Sequence, residues 1–114
     1  MVKKKACIFI SGQGSNLKNL IINSRDNSFP IKISLIICNN KKAYGINYAK
    51  KFKIPYIFIN TKLDNYENKI LMNLRKYKIS FICLAGYMKI ISNNIIQKYK
   101  KKIINIHPSL LPKF

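Results

Sequence analysis

Five short apolar runs recur along the chain, at Lys5–Ser11, Ile31–Cys38, Tyr56–Ile59, Phe81–Ala85 and Ile103–Ile106. Each is four to eight residues of nearly unbroken hydrophobic character closed by turn residues, the pattern of a strand buried on both faces of a parallel sheet. Between them lie stretches whose apolar residues follow helical spacing. Strands alternating with helices imply βαβ units with right-handed crossovers, and therefore an α/β domain built on a parallel sheet.

The helical stretches place their own inner faces. The first follows Gly12-Gln13-Gly14-Ser15-Asn16 and offers Leu17, Leu20 and Ile21. A second is expected over Ala43–Phe52, with Ala43, Ile46, Tyr48 and Ala49 inward. A third, over Asp64–Tyr77, turns Ile70, Leu71 and Leu74 inward and carries Asp64 and Glu67 in its first turns, where the helix dipole favours acids. Ser92 caps a fourth over Asn93–Lys100. With 114 residues and no repeat, linker or second composition zone, the chain forms one domain with a modest core.

The charge is the compositional anomaly: 22 Lys+Arg against 3 Asp+Glu, or +19. Such a field attracts nucleic acid, anionic membranes and phosphorylated substrates alike. The lysines are nevertheless spread through every polar segment, and no recognition helix, zinc finger or aromatic-basic platform accompanies them. A compositional drift that fills exposed positions with lysine accounts for the pattern, and no specific nucleic-acid partner is expected. No apolar run approaches the roughly 20 residues needed to span a bilayer. The opening Met1-Val2-Lys3-Lys4-Lys5 is followed by too short a run for a signal peptide, so a cytoplasmic protein without a targeting segment or membrane partner is expected. Cys7, Cys38 and Cys83 each sit inside an apolar run without metal-ligand spacing, as buried thiols do in a reducing compartment, and no metal site is expected.

Three stretches at strand ends carry chemistry. His107 is the only histidine and the one side chain suited to proton transfer near neutral pH. Asn105 lies two residues earlier, which on a strand puts both on one face, so one can hold a carbonyl while the other moves a proton. Pro108 and Pro112 end the strand and leave the pair at its carboxyl end, where ligands sit in open α/β sheets. The alternative is a core histidine beside a proline-rich turn. The glycine turn after the first strand leads straight into a helix, and free N–H groups there suit an anion, with Ser15 or Asn16 able to cap the helix or bond a phosphate. A plain βα turn is the other reading, since neither a Walker pattern nor a full dinucleotide fingerprint is present. Leu84-Ala85-Gly86-Tyr87-Met88-Lys89-Ile90-Ile91 leaves the fourth strand through a glycine; it either walls a pocket for a flat ring or plugs the sheet edge.

Taken together, Ile10-Ser11-Gly12-Gln13-Gly14-Ser15-Asn16-Leu17, the 84–91 stretch and Asn105-Ile106-His107-Pro108-Ser109-Leu110-Leu111-Pro112 resemble the phosphoribosylglycinamide formyltransferase family. The last motif is shared across the folate-dependent formyltransferase superfamily, including methionyl-tRNA formyltransferase and formyltetrahydrofolate deformylase. The Ser-Gly-x-Gly-Ser-Asn-Leu start points to the glycinamide ribonucleotide enzyme. The resemblance runs the whole length of the chain. It implies a Rossmann-like, mostly parallel sheet with helices on both faces, and a step of de novo purine biosynthesis. In that step the amine of glycinamide ribonucleotide takes a formyl group from 10-formyltetrahydrofolate. Position by position, it implies that Gly14, Ser15 and Asn16 hold the substrate phosphate and that Met88, Lys89, Ile90 and Ile91 line the pterin pocket. Asn105 would hold the formyl oxygen and His107 would carry the proton.

Departures accompany the match. The family has Arg where this chain has Lys89, and a folate-contacting family Arg falls near Thr61-Lys62-Leu63-Asp64, where Lys62 is the candidate substitute. The family's histidine pairs with an Asp well beyond the His-Pro motif, among further strands, whereas this sequence stops at Phe114. The resemblance therefore covers roughly the first half of the family domain, as a fragment or a shortened gene product, and residues 1–114 alone are expected to transfer formyl poorly. Two rival readings remain: the domain of another folate-dependent formyltransferase or deformylase, disfavoured by Ser15-Asn16, and a non-catalytic remnant or basic binding protein.

Overall fold

The computed structural model describes residues 3–10, 15–41, 45–85 and 92–106, apart from the side chains at 15, 16, 105 and 106. In chain order the elements are β1 (Lys4–Ile10), α1 (Ser15–Ser24), β2 (Ile31–Cys38), α2 (Gly45–Lys51), β3 (Tyr56–Phe58), α3 (Tyr66–Lys76), β4 (Phe81–Ala85), α4 (Asn93–Lys98) and β5 (Ile103–Ile106). The strands form one sheet in the order β3-β2-β1-β4-β5, every pair parallel. The chain thus begins at the centre, winds outward to β3, then returns to the other side of β1 and winds outward to β5. That reversal creates a topological switch point at the carboxyl ends of β1 and β4.

Each face of the sheet has its own helices. Ala6, Ile8 and Ile10 pack with Leu17, Leu20 and Ile21 of α1 and Ala49 of α2. Cys7, Phe9, Leu35 and Ile37 pack on the opposite face with Ile70 and Leu74 of α3 and Ile95 of α4. In β1, Lys4 and Lys5 are exposed, so burial on both faces begins only at Ala6. β2 matches its expected span and adds an irregularity. Ala6 pairs with Ile33 but Cys7 pairs with Leu35, leaving Ser34 as an inserted residue. The insertion resets the alternation, so Ile31, Ile33, Ile36 and Cys38 all join the α1 side.

Helix ends differ from the sequence expectation for local reasons. α3 begins at Tyr66 after Asn65, so Asp64 lies in the preceding turn and Glu67 alone occupies the first turn. The expected pair of acids is corrected to one. α2 spans Gly45–Lys51 with Gly45 and Ala49 buried, and Ala43 falls outside the described residues. β3 ends at Phe58, and α4 stops at Lys98, two residues early, where Tyr99 caps it and Lys101 takes a positive φ of 66°. Ser92 caps α4 as expected, its hydroxyl oxygen accepting the Ile95 N–H at 3.4 Å.

α2 and α3 close in the same manner. The Ile54 N–H reaches Ala49 O at 2.9 Å and the Lys53 N–H reaches Lys50 O at 3.3 Å. Ile79 to Leu74 at 2.9 Å and Lys78 to Arg75 at 3.0 Å repeat the pattern. These are Schellman endings, which need a left-handed residue that is usually glycine. Here Lys53 (φ 57°) and Lys78 (φ 55°) fill it. Among the described residues, no helix is long and apolar enough to cross a membrane.

Candidate active site

Strand order sets which strand ends the three chemistry-bearing stretches continue from. β1, β4 and β5 are consecutive neighbours in the sheet. Phe9 pairs with Leu84, Leu84 pairs with Asn105, and Ala85 pairs with Ile106. β1 ends at Ile10, β4 at Ala85 and β5 at Ile106, so the carboxyl ends of the three strands lie at one edge of the sheet at nearly the same level. Adjacent parallel strands lie about 4.8 Å apart. The departure points of the first and third segments are therefore separated by roughly 10 Å, two strand spacings, which one small-molecule ligand can bridge.

Gly14, Met88, Lys89, Ile90, Ile91 and His107 lie outside the described residues, as does the rest of the proline-rich segment. Ser15 and Asn16 are the first two residues of α1. Both stand in the first turn of the helix. The first-turn N–H groups of a helix have no intrahelical acceptor, and α1 carries no acid in that turn to occupy its positive end. Asn105 is the third residue of β5, one position short of the strand's last residue. Lys62 is placed in the turn after β3, its N–H bonded to Asn60 Oδ1 at 3.0 Å. That bond uses the backbone and leaves the ammonium group to other partners.

Sequence reasoning passed over Asn39. It follows Cys38, which pairs with Ile10 at the end of β1, so it borders the same edge. Its Oδ1 is buried and has no hydrogen-bond partner among the described residues. A buried acceptor without a donor is costly unless a ligand or water supplies one. The available signal was an Asn-Asn pair directly after a buried strand, where polar residues usually just end the strand.

The thiols near the sheet centre are not nucleophiles. Cys7, Cys38 and Cys83 are free and buried. Burial pushes all three up, Cys83 to about 11. At neutral pH they stay protonated and inert.

Residues 4–114 match the formyl transferase family. The chain belongs to the formyl transferase family. Within that family it is 38% identical to the phosphoribosylglycinamide formyltransferase of Bacillus subtilis, over 97% of this chain and 59% of the relative. It is 40% identical to the human trifunctional purine biosynthetic protein adenosine-3, over 98% of this chain and 12% of that protein. The crystal structure of the Brucella melitensis phosphoribosylglycinamide formyltransferase superposes with a TM-score of 0.89 at 37% identity, covering 99% of this chain and 61% of that one. This formyl transferase chain thus spans about six-tenths of the length of the bacterial relatives it matches. The parallel α/β fold expected from the sequence is the fold of those relatives.

Proposed function

We propose that this chain carries the phosphate-binding and transfer motifs of a phosphoribosylglycinamide formyltransferase, acting on glycinamide ribonucleotide with 10-formyltetrahydrofolate as formyl donor. The observation that supports the reading is the adjacency of β1, β4 and β5, whose last described residues, Ile10, Ala85 and Ile106, precede the three motif segments in the sequence. The names and 38–40% identity of the bacterial and human relatives support the same substrate pair.

Each residue in the proposal has a physical task. Gly14, Ser15 and Asn16 hold the ribonucleotide phosphate: Ser15 and Asn16 open α1, where N–H groups and the dipole favour an anion, and Gly14 precedes them in the sequence. Met88, Lys89, Ile90 and Ile91 line the pterin pocket in the segment leaving β4. The folate supplies an activated formyl group, and the donor set suits it: an amide N–H for the formyl oxygen and an imidazole for the proton. The Asn105 amide donates to the oxygen as negative charge develops there. His107 takes the proton lost by the attacking amine and returns it toward the leaving nitrogen.

Glycinamide ribonucleotide binding tests the phosphate half of this proposal directly. In calorimetry the ribonucleotide should bind saturably, and Asn16→Ala should weaken it while Lys69→Gln on the outside of α3 leaves it unchanged. Equal binding by the Asn16 variant would remove the loop from the site. Preference for a formylated amino acid or a tRNA over the ribonucleotide would instead favour a different folate-dependent transferase.

A further inference from the structure

The opposite edge of the sheet holds a groove of about 750 Å³ that the formyl-transfer reading does not use. Lys3 precedes β1, Lys32 is the second residue of β2, Pro55 precedes β3 and Lys78 precedes β4, so the groove lies at the amino ends of the strands. The seven residues of β1 put it roughly 20 Å from the carboxyl edge. Its floor includes the buried Ile21 and Ile33, and its walls carry Lys5, Lys32, Lys53, Lys76 and Lys78 with no acid among its lining residues. Lysines scattered along the sequence are gathered here by the fold.

Two further cations of the groove are already engaged. Lys3 Nζ donates to the carbonyls of Ser24 and Asp26, at 2.5 and 2.6 Å, and the Arg25 guanidinium donates to Phe52 O at 3.1 Å. Asp26, the acid closest in sequence, spends its carboxylate on Ser28, with both contacts at 2.8 Å. At the carboxyl ends of α2 and α3 the Ala49, Lys50, Leu74 and Arg75 carbonyls are engaged by the Schellman bonds and add no open acceptors there. Lys5, Lys32, Lys53 and Lys78 are left without a carboxylate partner among the described residues, over an apolar floor that strengthens attraction for an anion.

The ring contacts decide the kind of anion. Phe52 has the Arg25 guanidinium 4.8 Å and Lys51 Nζ 5.7 Å from its centroid, and Tyr77 has Lys76 Nζ at 5.6 Å. A single-stranded nucleic acid site offers open aromatic faces on which bases stack. Here cations already occupy ring faces, which leaves charge without a stacking platform. We propose that the groove at the amino ends of the strands is a second ligand site, which binds a compact polyphosphate bearing three or more negative charges.

The test uses inorganic tripolyphosphate as the probe, in calorimetry at physiological ionic strength, where diffuse surface attraction is largely screened. Lys53→Gly/Lys78→Gly removes two groove cations at positions whose positive φ suits glycine, so the variant keeps its fold. Lys98→Gln/Lys101→Gly removes the same charge outside the groove, with one equivalent backbone change. The expected result is saturable one-to-one binding that weakens about tenfold in the groove variant and less than about twofold in the control. Equal weakening in both variants, or no saturation, would overturn the site by showing only diffuse lysine attraction. Tighter groove-dependent binding of random-sequence single-stranded DNA than of tripolyphosphate would overturn the compact-ligand assignment.

Discussion

Leu84 of β4 stands in register with Asn105 of β5, and the next pair, Ala85 with Ile106, is the last that the two strands share. The proposed oxyanion donor is thereby held by a parallel ladder, one residue before the segment that carries His107. Leu84 is itself paired with Phe9, a fully buried residue of the central strand. A group that must hold its aim during a reaction gains from such a rigid base.

Substitution at the two proposed catalytic positions should separate chemistry from binding. In a protein with measurable formyl transfer, His107→Ala should lower kcat by a factor on the order of 10²–10⁴ with little change in KM for the ribonucleotide. Asn105→Ala should cost on the order of 3 kcal/mol in transition-state stabilisation. Steady-state kinetics with both substrates read these effects, and unchanged turnover in either variant removes that residue from the mechanism.

Lys53, Lys78 and Lys101 each hold a positive φ, at 57°, 55° and 66°. A side chain with a Cβ pays for that conformation, and glycine does not, although glycine loses more entropy on folding. Each Lys→Gly change should therefore stabilise the chain by about 0.5 kcal/mol. Lys53→Val and Lys78→Val should destabilise it, because branching at Cβ worsens the same clash. Thermal or urea unfolding of the five variants orders them.

Cys83 has its thiol pushed up to about 11 by burial. A raised folded-state pKa means that the contribution to stability is whole below the unfolded value, near 8.5, and is lost as pH rises toward the folded value. Stability should fall between pH of about 8.5 and about 11, and Cys83→Ala should flatten that fall. At pH 8 a thiol reagent should leave Cys7, Cys38 and Cys83 unmodified in the folded chain and modify all three in urea.

Asp26 shows the opposite sign. The Ser28 N–H bond first, and the Ser28 hydroxyl bond second, hold its carboxyl below the usual aspartate range. A lowered folded-state pKa contributes stability above the unfolded value, near 3.9, that disappears as pH falls through the folded value. In a carboxyl NMR titration, Ser28→Ala should raise the Asp26 midpoint only in part, since the stronger backbone bond survives. A midpoint unmoved by Ser28→Ala would show that the hydroxyl plays no part.

Element type was legible in the sequence because burial imposes local periodicity. β2, β4 and β5 have the spans that their apolar runs implied, and Ser92 caps α4 where the pattern placed it. The resemblance at Gly14 to Asn16, Met88 to Ile91 and Asn105 to His107 named the candidate site before any fold was known. Where Asp64 was expected inside α3, one turn of backbone outweighed the dipole preference of an acid, and only Glu67 is helical.

The strand order is a different kind of fact. Nothing local in Lys4–Ile10 says that it pairs with Phe81–Ala85 as well as with Ile31–Cys38, yet that pairing sets the carboxyl ends of β1 and β4 side by side. The Ser34 insertion is likewise invisible from one strand, because a bulge exists only relative to a partner. The lysines show the same division between chain and fold. Composition alone determined that they are many and spread out; tertiary packing decided that Lys5, Lys32, Lys53 and Lys78 meet around one groove, because a parallel sheet brings the amino ends of distant strands together.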